Sequence, residues 1–436
     1  MRRKSLGIYA AGVAAACVLA MSAYKLASLL NARADSAGNT AGPSNSGSGS
    51  DSGSGSDSGS RGSSFGSISA ATNAYYVSTT GSDSTGNGSK TSPWATIAYA
   101  STQVGAGATV YVAAGVYMAS FTTNSSGTAS AYITYVASTA NFSDTVNCAR
   151  VAAEHGDLSN CAQLVGTTTE TWVNNGNYVA IEGFDISGPG MNGIYTQGTY
   201  TLISGNHVHD VLPSTCNDDG GSGINLNGTN AEVVGNYVHN IGPYPSSCGY
   251  VQGIYFLQPG GYAYNNISFN NSGFGIQLWH YPSNINIFNN TIFANASGGI
   301  VLGTDTSGVT VDHITVANNI VVNNGGDGIS EQGASDSSTG KHNVYENNLV
   351  EGNSSGSFSL QNGLTATTTV AASPQFVNYT GTAGGNYHLL PMSQAIGAGT
   401  ATGAPSTDFD GIPRPQGGPI DIGAYQHSNA TTGTTP

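Results

Sequence analysis

From about residue 160 to residue 360 the chain is written in short runs of alternating apolar and polar residues, each closed by Gly or Asn. Alternation of period two is the signature of strands, and no helical period survives across these runs. Two phrases recur. One begins Gly-Ile and places Ile194, Ile224, Ile254, Ile276, Ile300 and Ile329 at intervals of 22 to 30 residues. The other carries an Asn, at positions 206, 236, 266, 290, 319 and 348, with intervals of 24 to 30. Two markers that advance together define a repeat, and a unit of this length suits one coil of a parallel β-helix. Stacking such coils would bury the isoleucines as one aliphatic column. The asparagines, placed at a bend, would form an internal amide ladder, since each carries both donors and acceptors.

Alternation also sorts the side chains between two faces. In the Asn phrase, Val208, Val238, Ile292, Val321 and Val350 share one parity and are expected inside, with Ser268 interrupting the column. The opposite parity is expected in solvent. It gives one row of Asp185, His207, Tyr237 and Ile267, and a second of His209, His239, Phe269 and Phe293. In the Gly-Ile phrase the outward row is Tyr195, Asn225, Tyr255 and Gln277, followed by Trp279 and His280. Exposed aromatic rows suit sugar rings, whose C–H faces stack on them.

Not all of the 436 residues belong to the repeat. Residues 1–34 open with Arg2, Arg3 and Lys4, continue with an uncharged run from Leu6 to Tyr24, and reach Ala32-Arg33-Ala34. This is the pattern of a signal peptide or a membrane anchor. Residues 35–72 are a Gly/Ser-rich stretch that cannot bury apolar surface and reads as a disordered linker. Residues 73–427 are expected to be the β-helix domain, with 73–118 as its N-terminal cap and first strands and 379–427 as its C-terminal closing segment. Residues 428–436 read as a disordered tail. The protein is thus expected outside the cell or at its surface, with membrane contact only through the N-terminal segment, and as a monomer.

Charge narrows the partners. The formal net charge is −14, and beyond residue 34 five basic residues face 24 acidic ones. Such a surface repels nucleic acid and anionic headgroups. The chain has no phosphate-binding loop and no Cys-x-x-Cys. Past the export segment it holds Cys148, Cys161, Cys216 and Cys248. An even count in an exported chain indicates disulfides; Cys148–Cys161 and Cys216–Cys248 are the natural pairs, and sequence alone leaves the other pairings open.

The segment "YYVSTTGSDSTGNGSKTSPWATIAYASTQVGAGATVYVAAGVY" (75–117) and the exit "YHLLPMSQAIGAG" (387–399) with "DFDGIPRPQGGPIDIGAYQ" (408–426) carry a resemblance. With the repeat between them, the chain resembles the right-handed parallel β-helix proteins of the pectate lyase-like superfamily, in its bacterial extracellular branch. The resemblance covers roughly residues 74–427. It implies an all-β right-handed solenoid with a short capping helix, and it implies a polysaccharide as partner. It does not choose an activity, because this fold hosts lyases, hydrolases, epimerases and binding proteins.

The candidate chemistry gathers at coils 185–280. His209, His239, Asp210, Asp218 and Asp219 are the candidate catalytic residues, the last two from a loop that would lie beside the histidines. Tyr195, His207, Asn225, Tyr237, Tyr255, Gln277, Trp279 and His280 are the candidate substrate contacts. Asp185, Asp210 and Asp218 are candidate ligands for calcium (Ca2+). A lyase here departs from the family pattern, in which Lys or Arg abstracts the proton: Arg150 and Lys341 lie off the aromatic strip. A hydrolase needs two carboxylates flanking the bond, and the Arg-Ile-Lys element of polygalacturonases is missing. The reading is an exported carbohydrate-active protein that binds and cleaves a polysaccharide as a lyase or a glycoside hydrolase. The alternative is a non-catalytic surface glycan-binding protein or adhesin.

Overall fold

The computed structural model describes residues 73–213, 216–217, 220–333, 338–415 and 417–427. The expected export segment, linker and tail lie outside the described residues, as do Asp218 and Asp219.

Each repeat makes three short strands, and equivalent strands of successive repeats pair in parallel. The result is three sheets of ten, nine and nine strands. In one repeat the chain passes through Val179–Glu182 in the first sheet, Asp185–Gly188 in the second and Asn192–Thr196 in the third. It then rises to Leu202–Ser204 in the first sheet again. This is the stacked solenoid that the repeat predicts. The isoleucine column is in register from Ile194 to Ile329, with Trp172 below it and Phe358 above. All six isoleucines are fully buried. The Gly before each Ile has its own steric reason: a Cβ on Gly223 would lie 2.7 Å from the Val238 side chain and 2.8 Å from the Gly253 carbonyl oxygen. Side chains of the second sheet therefore pack directly on the third sheet's backbone.

The Asn ladder stands at the bend between the first and second sheets. The side-chain amides of Asn206, Asn236, Asn266, Asn290 and Asn319 each donate to the Oδ1 of the next Asn up the stack, ending at Asn348, over 2.9–3.1 Å. A second ladder, Asn271–Asn295–Asn324–Asn353, runs through the bend between the second and third sheets over 2.8–3.0 Å. Ser268 fits the inner column because Asn271 donates to its hydroxyl, which itself donates to the Gly275 carbonyl.

The lower end is closed by helix α1 (Ile97–Gln103), whose N-cap Thr96 accepts from the Tyr99 amide and which buries Ile97 and Ala100. The upper coils lead into a C-terminal segment that does more than close the stack. It forms an antiparallel pair, Phe376–Asn378 with Asn386–Leu389, and then runs back along the outside of the second sheet. Asn347, Asn318, Asn289 and Asn265 donate in turn to Ala398, Thr400, Asp421 and Thr407 carbonyls of that segment. These four asparagines hold φ between 50° and 57°. Earlier coils place Gly205 and Gly235 at the same bend, where positive φ costs glycine nothing.

Both expected disulfides form, Cys148–Cys161 and Cys216–Cys248, with Cα–Cα distances of 5.9 and 5.7 Å. The first anchors helix α2 (Cys148–Ala153), which lies over the second sheet beside its histidines.

Candidate functional site

The structure separates the predicted residues into two groups on two faces. The first is the histidine group on the second sheet. Asp185, His207 and Tyr237 are register partners in adjacent coils, as are His209 and His239. The alternation placed them correctly, facing away from the core, but the expected solvent exposure is corrected. His207 and His239 are buried and Tyr237 is fully so. The closing segment and α2 cover them, joining Tyr237, Phe269 and Phe293 to Phe376, Tyr387, Tyr425 and Ala149 in one apolar cluster. Tyr387 packs 4.3 Å from Phe293, and the Ala149 amide donates to the Gly205 carbonyl. His209 keeps partial exposure and Asp210 stands at the rim.

Within this group Asp185 Oδ1 lies 2.6 Å from His207 Nδ1 and 3.2 Å from His209 Nε2. The second imidazole nitrogen of His207 lies 2.9 Å from His239 Nε2. His209 Nδ1 meets Asp210 Oδ2 at 2.8 Å, and Asn240 donates to the other Asp210 oxygen. Burial opposes charge on every member, and neighbours decide the outcome. Burial would raise the Asp185 carboxyl, yet the two imidazoles beside it hold it well below the usual carboxylate range. Burial would lower His209, but the Asp185 and Asp210 carboxylates outweigh it and push it up to about 9. Burial dominates at His207 and His239, and both stay neutral. The expected calcium ligands therefore divide: Asp185 serves two histidines, Asp210 serves one, and Asp218 is outside the described residues.

The second group lies on the outer face of the third sheet. Tyr195, Asn225, Tyr255 and Gln277 are consecutive register partners, one per coil. Tyr195, Asn225 and Tyr255 are half-buried, and Gln277 is buried. Asn227 donates to the Tyr195 hydroxyl at 3.0 Å and accepts from Gln258 at 3.2 Å. Two acceptors on this row, Asn225 Oδ1 and Gln277 Oε1, are buried with no hydrogen-bond partner. Trp279 and His280 follow, half-buried, beyond Gln277. His280 Nδ1 lies 3.0 Å from Asp305 Oδ1, and the His280 ring sits 6.2 Å from that of Tyr255. Burial, with Asp305 adding to it, raises the Tyr255 phenol above its ordinary range, so it keeps its proton. Asp305 was not foreseen. Its signal was its place 25 residues after His280, one coil higher.

Three parallel sheets wound around one aliphatic column, with amide ladders at two bends, define a right-handed parallel β-helix. Residues 171–378 match the family model described as "Right handed beta helix region", and the chain has the right-handed parallel β-helix fold. Among solved structures it is similar to pectate lyase Pel9A, with 18% identity, 81% of this chain and 96% of that one covered, and a TM-score of 0.54. It is also similar to a rhamnogalacturonan lyase, at 16% identity, 70% and 90% coverage and a TM-score of 0.45. A third is a GH136 lacto-N-biosidase from Eubacterium ramulus, at 12% identity, 69% and 67% coverage and a TM-score of 0.41. No curated protein matches the chain in sequence.

Proposed function

We propose that the chain binds an extracellular polysaccharide along the outer face of the third sheet and cleaves it at the His280 end. The observation that carries this reading is the pair of buried, unpartnered acceptors, Asn225 Oδ1 and Gln277 Oε1, in a row with Tyr195 and Tyr255. A buried carbonyl oxygen without a donor is costly, and a pair of them two coils apart, with Tyr255 between, asks for donors at that spacing. Sugar hydroxyls supply donors, and the phenol rings supply faces for the sugar C–H groups. At the end of the row, Asp305 holds His280 through Nδ1, which leaves the other nitrogen to exchange a proton. Tyr255 retains its proton and acts as a donor to a leaving oxygen. Asp305, the carboxylate of this end, is bonded to His280, so the acid–base pair is His280 with Tyr255 rather than two carboxylates. The similarity of the fold to that of pectate lyase Pel9A agrees with a polysaccharide partner.

The test is retention and cleavage by the full chain on neutral and uronate polysaccharides, reading new reducing ends and unsaturated products. Gln277→Ala and Asn225→Ala each weaken retention by about tenfold, the value of one hydrogen bond to a buried acceptor. His280→Gln and Tyr255→Phe lower cleavage by about a hundredfold or more while retention persists. Cleavage absent from every substrate, with retention that responds to Gln277→Ala, leaves a glycan-binding protein. Retention that ignores Gln277 and Asn225, or no retention at all, removes the proposal.

A further inference from the structure

Two groups of His and Asp among the described residues bring three ligand atoms within 4.8 Å of one another: Asp185–His207–His209 and Asp312–His313–His342. The second lies on the surface, with His313 and His342 side chains 60% and 67% exposed. The first lies beneath the closing segment, with Asp185, His207 and His209 at 8%, 5% and 18%.

We propose that Asp185, His207 and His209 form a binding site for a divalent transition-metal cation of the zinc class, on the second sheet and away from the polysaccharide strip. Two imidazole nitrogens and one carboxylate oxygen are the donor set of zinc and its first-row neighbours; calcium prefers all-oxygen cages. The three ligand atoms are close enough to share one ion once the stacked rings turn. His209 Nε2 comes within 3.2 Å of Asp185 Oδ1, a close contact of two buried atoms without a well-formed hydrogen bond. Around a tetrahedral ion, metal bonds of roughly 2.0–2.2 Å place neighbouring ligand atoms about 3.3–3.6 Å apart. Asp185 Oδ1 lies 3.2 Å from His209 Nε2, near that spacing. It lies 2.6 Å from His207 Nδ1, so an ion would displace the hydrogen-bond proton of that pair and open it by roughly 0.7–1 Å. It would also turn the two imidazoles out of their stack, now 4.1 Å between centroids and 11° between planes.

The outer contacts support the same assignment. A ligating imidazole normally donates its other N–H to a fixed acceptor, which sets its tautomer. His209, ligating through Nε2, has Asp210 on Nδ1 at 2.8 Å, and Asn240 fixes Asp210 in turn. His207, ligating through Nδ1, has His239 Nε2 at 2.9 Å from its Nε2. With the ion bound one proton arrangement satisfies both: each ligand nitrogen is bare, His209 having given up the proton it holds beside Asp185, and each outer nitrogen carries the hydrogen. Two carboxylates beside three imidazoles also favour a positive charge here, which a dication supplies. The ion would join Asp185–Gly188 to His207–Val211 in the next coil, directly under the covering segment.

The test uses the full chain purified without chelators and dialysed. Metal content is measured by mass spectrometry, Co(II) loading by its visible absorption, and melting temperature with added zinc or calcium. The expected result is close to one zinc per chain, visible bands with Co(II), and a melting temperature that rises with zinc and not with calcium. Asp185→Asn and His209→Gln lower zinc affinity most. Asp210→Asn, a substitution at the exposed rim that leaves the fold intact, lowers it by roughly 10–100-fold. Asp312→Asn with His342→Gln leaves the affinity unchanged. Failure to bind zinc or Co(II), or binding lost in the Asp312/His342 variant and kept in the Asp185 and Asp210 variants, overturns the proposal and leaves a hydrogen-bonded network. None of these readouts involves a glycan, so the outcome stands apart from that of the polysaccharide strip.

Discussion

Replacing Asn290 by alanine lowers the stability of the solenoid by about 3 kcal/mol, because several buried polar groups lose partners at once. The Asn290 amide donates to the Ala263 and Phe288 carbonyls and to Asn319 Oδ1. Its oxygen accepts from both the backbone and the side chain of Asn266. The residue is fully buried, so water cannot replace what is removed. The Asn266 backbone N–H is left without an acceptor, and an orphaned buried donor costs roughly 1–3 kcal/mol by itself. Asn353→Ala is the matched control. It ends the second ladder, donates to Val321 and accepts from Asn324, but it is half-exposed. Its loss should cost only about 1 kcal/mol, since truncating this half-exposed side chain opens a path for water to the Asn324 donors it leaves. Urea unfolding midpoints of the two variants decide the matter. Equal losses would mean that the ladder works through local bend geometry and not through buried amide pairing. In a stack where each coil contacts only its neighbours, the Asn290 variant should also open locally before the whole unfolds, a pattern that hydrogen exchange reads coil by coil.

The ladder shows which features were legible in the sequence. Coil spacing, the isoleucine column and the Asn206–Asn348 ladder could all be read, because each repeats a residue type at the coil period. The second ladder obeys the same rule. Asn271, Asn295, Asn324 and Asn353 follow the first set at a constant offset of five residues from Asn266, Asn290, Asn319 and Asn348. It was hidden among other Asn, Ser and Gly residues of the bends. The cover over the second sheet was harder. Alternation tells on which side of a strand a residue lies, but not what packs there. A clue was present in Ile267, Phe269 and Phe293, which continue the rows of His207 and His209 as large apolar groups. Leaving such a stripe in water would forgo about 2 kcal/mol per side chain, so a cover was required. Its source, 100 residues further along the chain, could not be read from any local pattern. The candidate site divides in the same way. The Tyr195–Gln277 row follows from period alone, whereas the buried contacts among His207, His209 and His239 depend on a segment that alternation does not place.

Arg414→Met should release that cover at a cost of roughly 3–5 kcal/mol, the loss typical of removing one member of a buried charge network. Arg414 is 2% exposed, a buried polar contact between the returning segment and the coils. Its Nη2 donates to Asn265 Oδ1 at 3.0 Å and to the Gly423 and Ala424 carbonyls; its Nη1 donates to the Asp421 carbonyl and to Gln426. Burial lowers its pKa to about 10, while Asp408 and Asp421 resist the fall, so it remains a cation at neutral pH. Methionine keeps much of the volume and removes every donor. The carbonyls of 421, 423 and 424 then lose their shared partner, and the segment no longer gains by lying on the Asn265 bend. Arg414→Lys should rescue little, because an ammonium cannot span five acceptors arranged around a planar fork. The coils beneath keep their own ladders and column, so unfolding should begin at 376–427 and leave the stack assembled. Limited proteolysis distinguishes this from general destabilisation. Cleavage confined to the C-terminal segment, with Tyr237, Phe269 and Phe293 newly accessible and the lower coils still protected, is the expected pattern. Cleavage spread through the coils would mean that the segment holds the solenoid together. A wild-type pattern would mean that the apolar contacts of Phe376, Tyr387 and Tyr425 suffice without the arginine.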